Sequence, residues 1–276
     1  MLGLTNFKRQ NNSKWTTTEL NRLKLEYLLS ISESTSRHAT EAFIANCIRF
    51  YKLHLPLETS QADDSVILAA VALLKLHDEA VKGSSDQHEL SQQRELIQAA
   101  CLLDFLLDKS PENRPGMLLS VRISLQLGLG SAAITQYQDL RIREILNETL
   151  SHTLFTRIST IHPYTATTPR TTKLGQDRRD PYVALKAELK ARASSIARIR
   201  RFAGEDLSIM AYDQVLEFRK LKGDLERSLV RQMWILERRR IARLRAQQYD
   251  EDDDLFEELT GRSGIFNAQS LQTSML

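Results

Sequence analysis

The residues whose types and spacing could carry chemistry are a glycine-rich turn, scattered histidines and one arginine cluster. Gly128-Leu129-Gly130-Ser131-Ala132-Ala133 fits the letter of a dinucleotide loop, with Glu148 twenty residues past Gly128. Such a loop must leave a strand and aim a helix N-terminus at a pyrophosphate. Here the residues before Gly128 have helical spacing, so the turn of a helical hairpin fits better. An acyl-coenzyme A loop needs Gln or Arg, two residues, Gly, one residue, then Gly or Ala. Its glycines let backbone N–H groups reach a pyrophosphate. In the same turn Leu125 holds the first position of that pattern, and in Arg201-Phe202-Ala203-Gly204-Glu205-Asp206 an aspartate holds the last. Neither site fits.

The histidines, His38, His54, His77, His88, His152 and His162, form no HExxH or paired-ligand spacing. His77-Asp78-Glu79 lies near the C-terminal end of an apolar helical run, where an imidazole favours the helix dipole. Cys47 and Cys101 each sit in an apolar helical pattern with no cysteine nearby, as buried thiols in a reducing compartment do. No nucleophile–base constellation is visible. The sequence is therefore read as non-catalytic, with no cofactor, no metal and no small-molecule substrate of its own.

Arg238, Arg239, Arg240, Arg243 and Arg245 form the best candidate site. Guanidinium groups pair with phosphates irrespective of sequence, so ribosomal RNA is one expected contact. A solvated helix face, neutralised by the acids that follow, is the other reading. Aromatic residues are not interleaved among these arginines, which gives no sign of base stacking.

The elements that must position these residues are helical. The 276 residues include only 10 glycines and 6 prolines, and 42% are hydrophobic. Residues that keep their rotamer freedom in a helix dominate, and alternating strand-like runs are almost absent. Helices are expected over Thr16–Leu29, opened by a Thr-Thr-Thr-Glu capping box, and over Ala39–His54, with Phe43, Cys47, Phe50 and Tyr51 on one face. Asp63-Asp64-Ser65 is expected to cap Val66–Val81, and a fourth helix to run from about Glu89 to Lys109. Met117–Leu127, Ala132–Leu140 and Glu144–Ile161 follow. After a proline- and threonine-rich linker come Tyr182–Phe202 and a last helical stretch from Glu205-Asp206 to about Gln248, interrupted near Gly223. In that stretch Phe218, Leu221, Leu225, Leu229, Met233 and Leu236 step by three or four, with arginines opposite.

Charge is uneven. Between Arg170 and Gln248 there are twenty Lys/Arg and ten Asp/Glu, and between Asp250 and Glu258 seven acids and no base. No apolar run is long enough to span a bilayer, which needs about 20 residues, and the start of the chain does not form a signal peptide. A cytoplasmic protein without a membrane partner is expected.

Leu118 to Leu140 follows the logic of a tetratricopeptide repeat (TPR). Gly128 makes the turn, Ala133 lets two backbones approach, and Tyr137 fills the groove one turn later. One hairpin cannot bury both faces, so hairpins must stack. The fold class expected is all-α: a helical-hairpin, TPR-like solenoid with a basic C-terminal helical region and a disordered acidic tail. Its parts are repeats over 16–161, a flexible linker over 162–180, the basic region over 181–248 and the tail over 249–276.

Several blocks, in order, resemble one family. They are Leu102-Leu103-Asp104-Phe105-Leu106-Leu107, Ser110-Pro111-Glu112-Asn113, Leu118-Leu119-Ser120-Val121-Arg122-Ile123, Leu127-Gly128 and Leu154-Phe155-Thr156-Arg157. Val215-Leu216-Glu217-Phe218-Arg219, Leu225, Ser228-Leu229 and Glu237-Arg238 follow. Together they are similar to the later part of the auxiliary subunit of the N-terminal acetyltransferase B (NatB) complex. The resemblance implies a non-catalytic scaffold that holds a catalytic acetyltransferase subunit and helps place it at the ribosome. The partner would acetylate nascent chains beginning Met-Asp, Met-Glu, Met-Asn or Met-Gln. Members of that family carry further helical repeats ahead of this region, so an exposed apolar end face and marginal stability are expected of this chain alone. Two other functions fit the same helices: a generic TPR-like adaptor with another client, and a ribosome- or RNA-associated basic helical protein.

Overall fold

A computed structural model describes residues 15–34, 36–55, 62–83, 93–142, 145–164, 179–204 and 212–248. Most of the expected linker and the whole of the expected acidic tail lie outside the described residues. Every regular element described is helical, as the composition requires. The chain divides into two compact units, Met1–Leu129 and Gly130–Leu276.

The first unit packs each helix against the next. Helix α1 covers 15–26 and widens into a π-helical turn, Tyr27–Ile31. Its threonines lie inside the helix rather than ahead of it, and Glu19 accepts from Arg22 Nε at 2.8 Å. Helix α2 (Arg37–His54) starts where the Ser36 hydroxyl accepts from the Ala39 N–H at 3.4 Å. Its buried face, Phe43, Cys47, Phe50 and Tyr51 with Thr40, Ile44 and His54, contains the stripe read from the sequence.

Helix α3 (Asp63–Gly83) takes Asp63 and Asp64 into its first turn, where acids favour the dipole. Ala69, Ala70 and Ala72 are fully buried. Small residues there let α3 lie close to both α2 and α4 (Arg94–Lys109), which it contacts on either side. Helix α5 (Arg114–Gln126) packs on α4. Asn113 joins two of these elements. Its Oδ1 caps α5 by accepting from Gly116 N–H at 2.8 Å, while its Nδ2 donates to Asp63 at 3.2 Å. Leu20, Leu23, Phe43, Leu73, Leu103, Leu106 and Ile123 belong to one continuous core.

Gly128 closes α5 at φ +74°, a conformation that favours glycine. The Gly128 N–H reaches Leu125 O at 3.0 Å and the Leu129 N–H reaches Ser124 O at 2.7 Å. This pair of bonds is the Schellman ending, and it satisfies carbonyls the helix would leave free.

In the second unit packing skips along the sequence. Helix α6 is Gly130–Asp139. The single helix expected over Glu144–Ile161 is instead three short ones: α7 (Ile145–Leu150), α8 (His152–Phe155) and α9 (Ile158–Ile161). Arg157, left-handed at φ +62°, separates the last two, and the buried Glu237 carboxylate accepts the Ser159 N–H at 2.9 Å. That tertiary contact replaces a helical bond periodicity would have kept.

Helix α10 (Pro181–Gly204) has proline first and is capped by Asp180, whose Oδ1 accepts the Tyr182 N–H at 2.7 Å. It packs on α6, on α11 (Tyr212–Glu226) and on α12 (Leu229–Leu244), and α12 also packs on α8 and α9.

The break between the last two helices falls at Arg227-Ser228, not near Gly223, which lies inside α11. Ser228 restarts the helix with its side chain accepting from Arg231 N–H. The restart resets the phase. Leu229 and Leu236, expected on the buried stripe, are 85% and 52% exposed. Trp234, Ile235, Ile241 and Ala242 are buried instead, together with Arg231, Glu237 and Arg238.

Candidate functional site: the arginine-rich helix and the cavity beside it

The arginines that the sequence groups together meet different surroundings on α12, because residues three or four apart share a face and their neighbours do not. Arg238 is fully buried. Its guanidinium lies 4.8 Å from the Tyr182 ring centroid, and Nη2 donates to the Tyr182 hydroxyl at 3.0 Å. Arg245 is clamped by Asp180 through two bonds of 2.9 and 3.1 Å, and its Nε donates to Pro163 O at 2.7 Å. Arg239 is half-buried; Arg240 and Arg243 are exposed. Arg240 pairs with Glu237 at 2.6 Å. The surface that a phosphate can reach is therefore Arg239, Arg240 and Arg243.

The residues read as repeat-packing lie where they can pack or turn. Gly128 makes the positive-φ turn. Ala133 is fully buried and Tyr137 nearly so. The Tyr137 ring meets Phe155 edge-on at 5.7 Å, and Phe155 meets Trp234 at 6.2 Å. The Tyr137 hydroxyl donates to Asn147 Oδ1 at 2.7 Å, and Asn147 Nδ2 donates in turn to Glu188. Burial raises the pKa of both Tyr137 and Glu188.

A Ser–His pair also forms. His162 Nε2 lies 2.8 Å from Ser131 Oγ. It does not make a triad, because Asp180 is held by Arg245 and neither Ser131 nor His162 lines the cavity described next. Gly130 accounts for the closeness: a Cβ there would stand 2.3 Å from His162 Cβ. Burial, then Arg245, lowers the His162 pKa against a partial offset from Asp180.

Sequence reasoning missed Arg192. It lies on α10 beside a cavity of about 260 Å³ whose lining includes Glu148, Ser195, Ile199, Phe218, Leu221 and Trp234. Arg192 is only 7% exposed. Its guanidinium pairs with Glu148, donates to Leu225 O at 3.0 Å and lies 5.6 Å from the Trp234 ring centroid. Ser228 donates to the same Glu148 carboxylate at 2.6 Å. Desolvation, reinforced by Arg231, brings the Arg192 pKa down to about 10. Arg192 Nε and Trp234 Nε1 are buried donors with no acceptor among the described residues, and a buried donor left so costs about 1–3 kcal/mol. The only sequence signal was a lone arginine in phase with Leu185, Leu189 and Ile196, which are buried on the same face.

Among the described residues no group of His, Cys, Asp or Glu could hold a metal ion, and no helix there is long and apolar enough to cross a membrane. Fold and site together define an all-α protein of packed helices whose buried charges are tied up in structural contacts. Residues 4–274 match the family described as the N-acetyltransferase B complex (NatB) non catalytic subunit, and the chain belongs to that family. It is 26% identical over 230 residues to the N-terminal acetyltransferase B complex subunit arm1 of Schizosaccharomyces pombe (strain 972 / ATCC 24843). That similarity covers 81% of this chain and 26% of the relative, so the chain spans about a quarter of the relative's length. No solved structure matches the chain.

Proposed function

We propose that this chain is a non-catalytic scaffold of the NatB acetyltransferase, acting in the cytoplasm. In this reading it holds the catalytic acetyltransferase subunit and helps bring it to the ribosome. Chemistry on nascent chains beginning Met-Asp, Met-Glu, Met-Asn or Met-Gln, and the acetyl-coenzyme A it consumes, belong to the partner. Family membership supports the auxiliary role.

The observation that carries the binding role is the outward face of α12. Leu229, Leu236 and Leu244 are 85%, 52% and 51% exposed. They fall on one side of the helix, with Arg240 and Arg243 in the same stripe. An apolar helical stripe left in water is the form a helix takes when it docks on another protein. The test is co-purification of the tagged chain, expected to bring down a small acetyltransferase. An eluate without one would favour a generic TPR-like adaptor with another client.

The reach of Arg239, Arg240 and Arg243 toward solvent supports a second contact, with ribosomal RNA. Its mark would be RNA binding that weakens with salt and drops when these three arginines are replaced.

A further inference from the structure

Helix α4 carries a second apolar stripe besides the one it buries. Its inner face, Leu96, Ala99, Leu103 and Leu106, belongs to the core of the first unit. On the outer face Ile97 and Phe105 are 48% and 46% exposed, and Cys101 between them, read from the sequence as buried, is exposed too. Arg94, Gln98, Asp104 and Asp108 are exposed beside them. These residues follow one another in steps of three and four along the helix, so they form one seam. Phe105 is held in place by an edge-on contact with the Tyr51 ring of α2 at 6.2 Å.

The order of residues along the seam selects what can cover it. Cys101, the smallest of the three apolar side chains, stands at the centre. Gln98 and Asp104 lie three residues to either side of it, Ile97 and Phe105 four, Arg94 and Asp108 seven. The seam is thus basic at one end, acidic at the other and apolar between. Such a pattern is complementary to its own inverse. An antiparallel copy sets base against acid at both ends, whereas a parallel copy opposes like charges. Asp108 already accepts from Lys109 at 3.0 Å, but a pair between exposed neighbours is worth at most about 1 kcal/mol and leaves the carboxylate further acceptor capacity.

We propose that α4 docks on α4 of a second copy of this chain, antiparallel about a two-fold axis at Cys101. Arg94 then pairs with Asp108 of the second copy, Gln98 donates to its Asp104, and Ile97 covers its Phe105. The small Cys101 at the axis lets the two helices approach. One helix from each side makes a small interface, so the dimer belongs to the weak, reversible class.

Sedimentation equilibrium of the full chain is the test. The mass is expected to rise with concentration from 31.6 kDa toward twice that. Arg94→Asp and Asp108→Arg are each expected to weaken association at least tenfold, because each sets like charges together at both ends of the seam. The two changes combined are expected to restore it. The two positions lie about 21 Å apart along the helix, too far to pair within one chain. A bifunctional maleimide is expected to link two chains through Cys101, since Cys47 is fully buried, and to link none carrying Cys101→Ser. A mass of one chain at millimolar concentration overturns the proposal. So does a dimer that the maleimide does not link, that neither reversal weakens, or that the paired reversals fail to restore in protein whose helical signal and melting match the parent.

Discussion

Arg238 lies fully buried on the ring of Tyr182, its guanidinium 4.8 Å from the ring centroid and bonded to the hydroxyl at 3.0 Å. Two residues 56 positions apart thus fasten α12 to α10. An arginine that reads as part of an RNA-binding patch is a core residue. Replacing it should damage the fold and leave the surface charge almost untouched. Arg238→Ala is expected to destabilise the second unit by about 3–5 kcal/mol, since truncation leaves Tyr182 without its donor and opens a hole in the core. Tyr182→Phe keeps the ring under the cation but removes one acceptor of the buried guanidinium, and should cost less, about 1–3 kcal/mol. Urea unfolding of the two variants checks the order; equal losses would contradict it.

Gly130 and His162 set a steric limit. A methyl group at Gly130 would sit 2.3 Å from His162 Cβ, the root of that side chain, which cannot swing aside as a flexible side-chain tip can. Gly130→Ala is expected to cost at least about 1–3 kcal/mol. At Gly128 nothing stands within 4 Å of the added carbon, and only the positive φ opposes it. Gly128→Ala should therefore cost about 1 kcal/mol. Thermal melting of both single variants measures the difference.

His162 makes stability depend on pH. Its folded pKa lies below the ordinary 6.5 because burial and Arg245 disfavour the imidazolium. As pH falls through 6.5 the unfolded chain takes up this proton first, so stability is full above that point and declines below it. The decline levels off once the folded protein is protonated too. His162→Gln should remove this component, visible as a shallower loss of stability between pH 6.5 and 5 in parallel melts. Identical profiles would assign the dependence to other groups.

Glu188 gives the opposite sign. Burial raises its folded pKa and the Asn147 amide only partly offsets it. Such a group costs stability as pH rises from its unfolded value through the folded one. Glu188→Gln retains an acceptor for Asn147 without the charge. It is expected to leave stability equal or higher at pH 7, checked by denaturant midpoint; a clear loss would show that the carboxylate charge is needed.

The helices of the first unit were legible because their stripes are regular. Phe43, Cys47, Phe50 and Tyr51 repeat at helical spacing and are buried as read. Helix starts were less so. Asp63 and Asp64 look like caps in sequence but sit in the first turn. In the second unit local pattern competes with distant contacts. Glu237 takes the Ser159 N–H from 78 residues away, and the continuous helix expected there is broken. Leu229 and Leu236 were misplaced because a one-residue turn before Ser228 shifts the phase of all that follows. Periodicity gives the face of a helix but not its partner, so the fates of Arg192, Arg238 and Arg245 could not be read from their neighbours. The order of short blocks, by contrast, was enough to identify the family.

The most direct test of the scaffold reading uses the exposed stripe of α12. The tagged chain and its Leu229→Asp, Leu236→Asp variant would be purified from cells, and each eluate assayed for acetyl transfer to a peptide beginning Met-Asp. Both leucines face solvent, so the variant is expected to fold normally. A small acetyltransferase and its activity are expected with the parent chain, at least tenfold less of both with the variant, and no activity from the chain purified to homogeneity. Acetyl transfer by the homogeneous chain, or equal recovery with both forms, would contradict it.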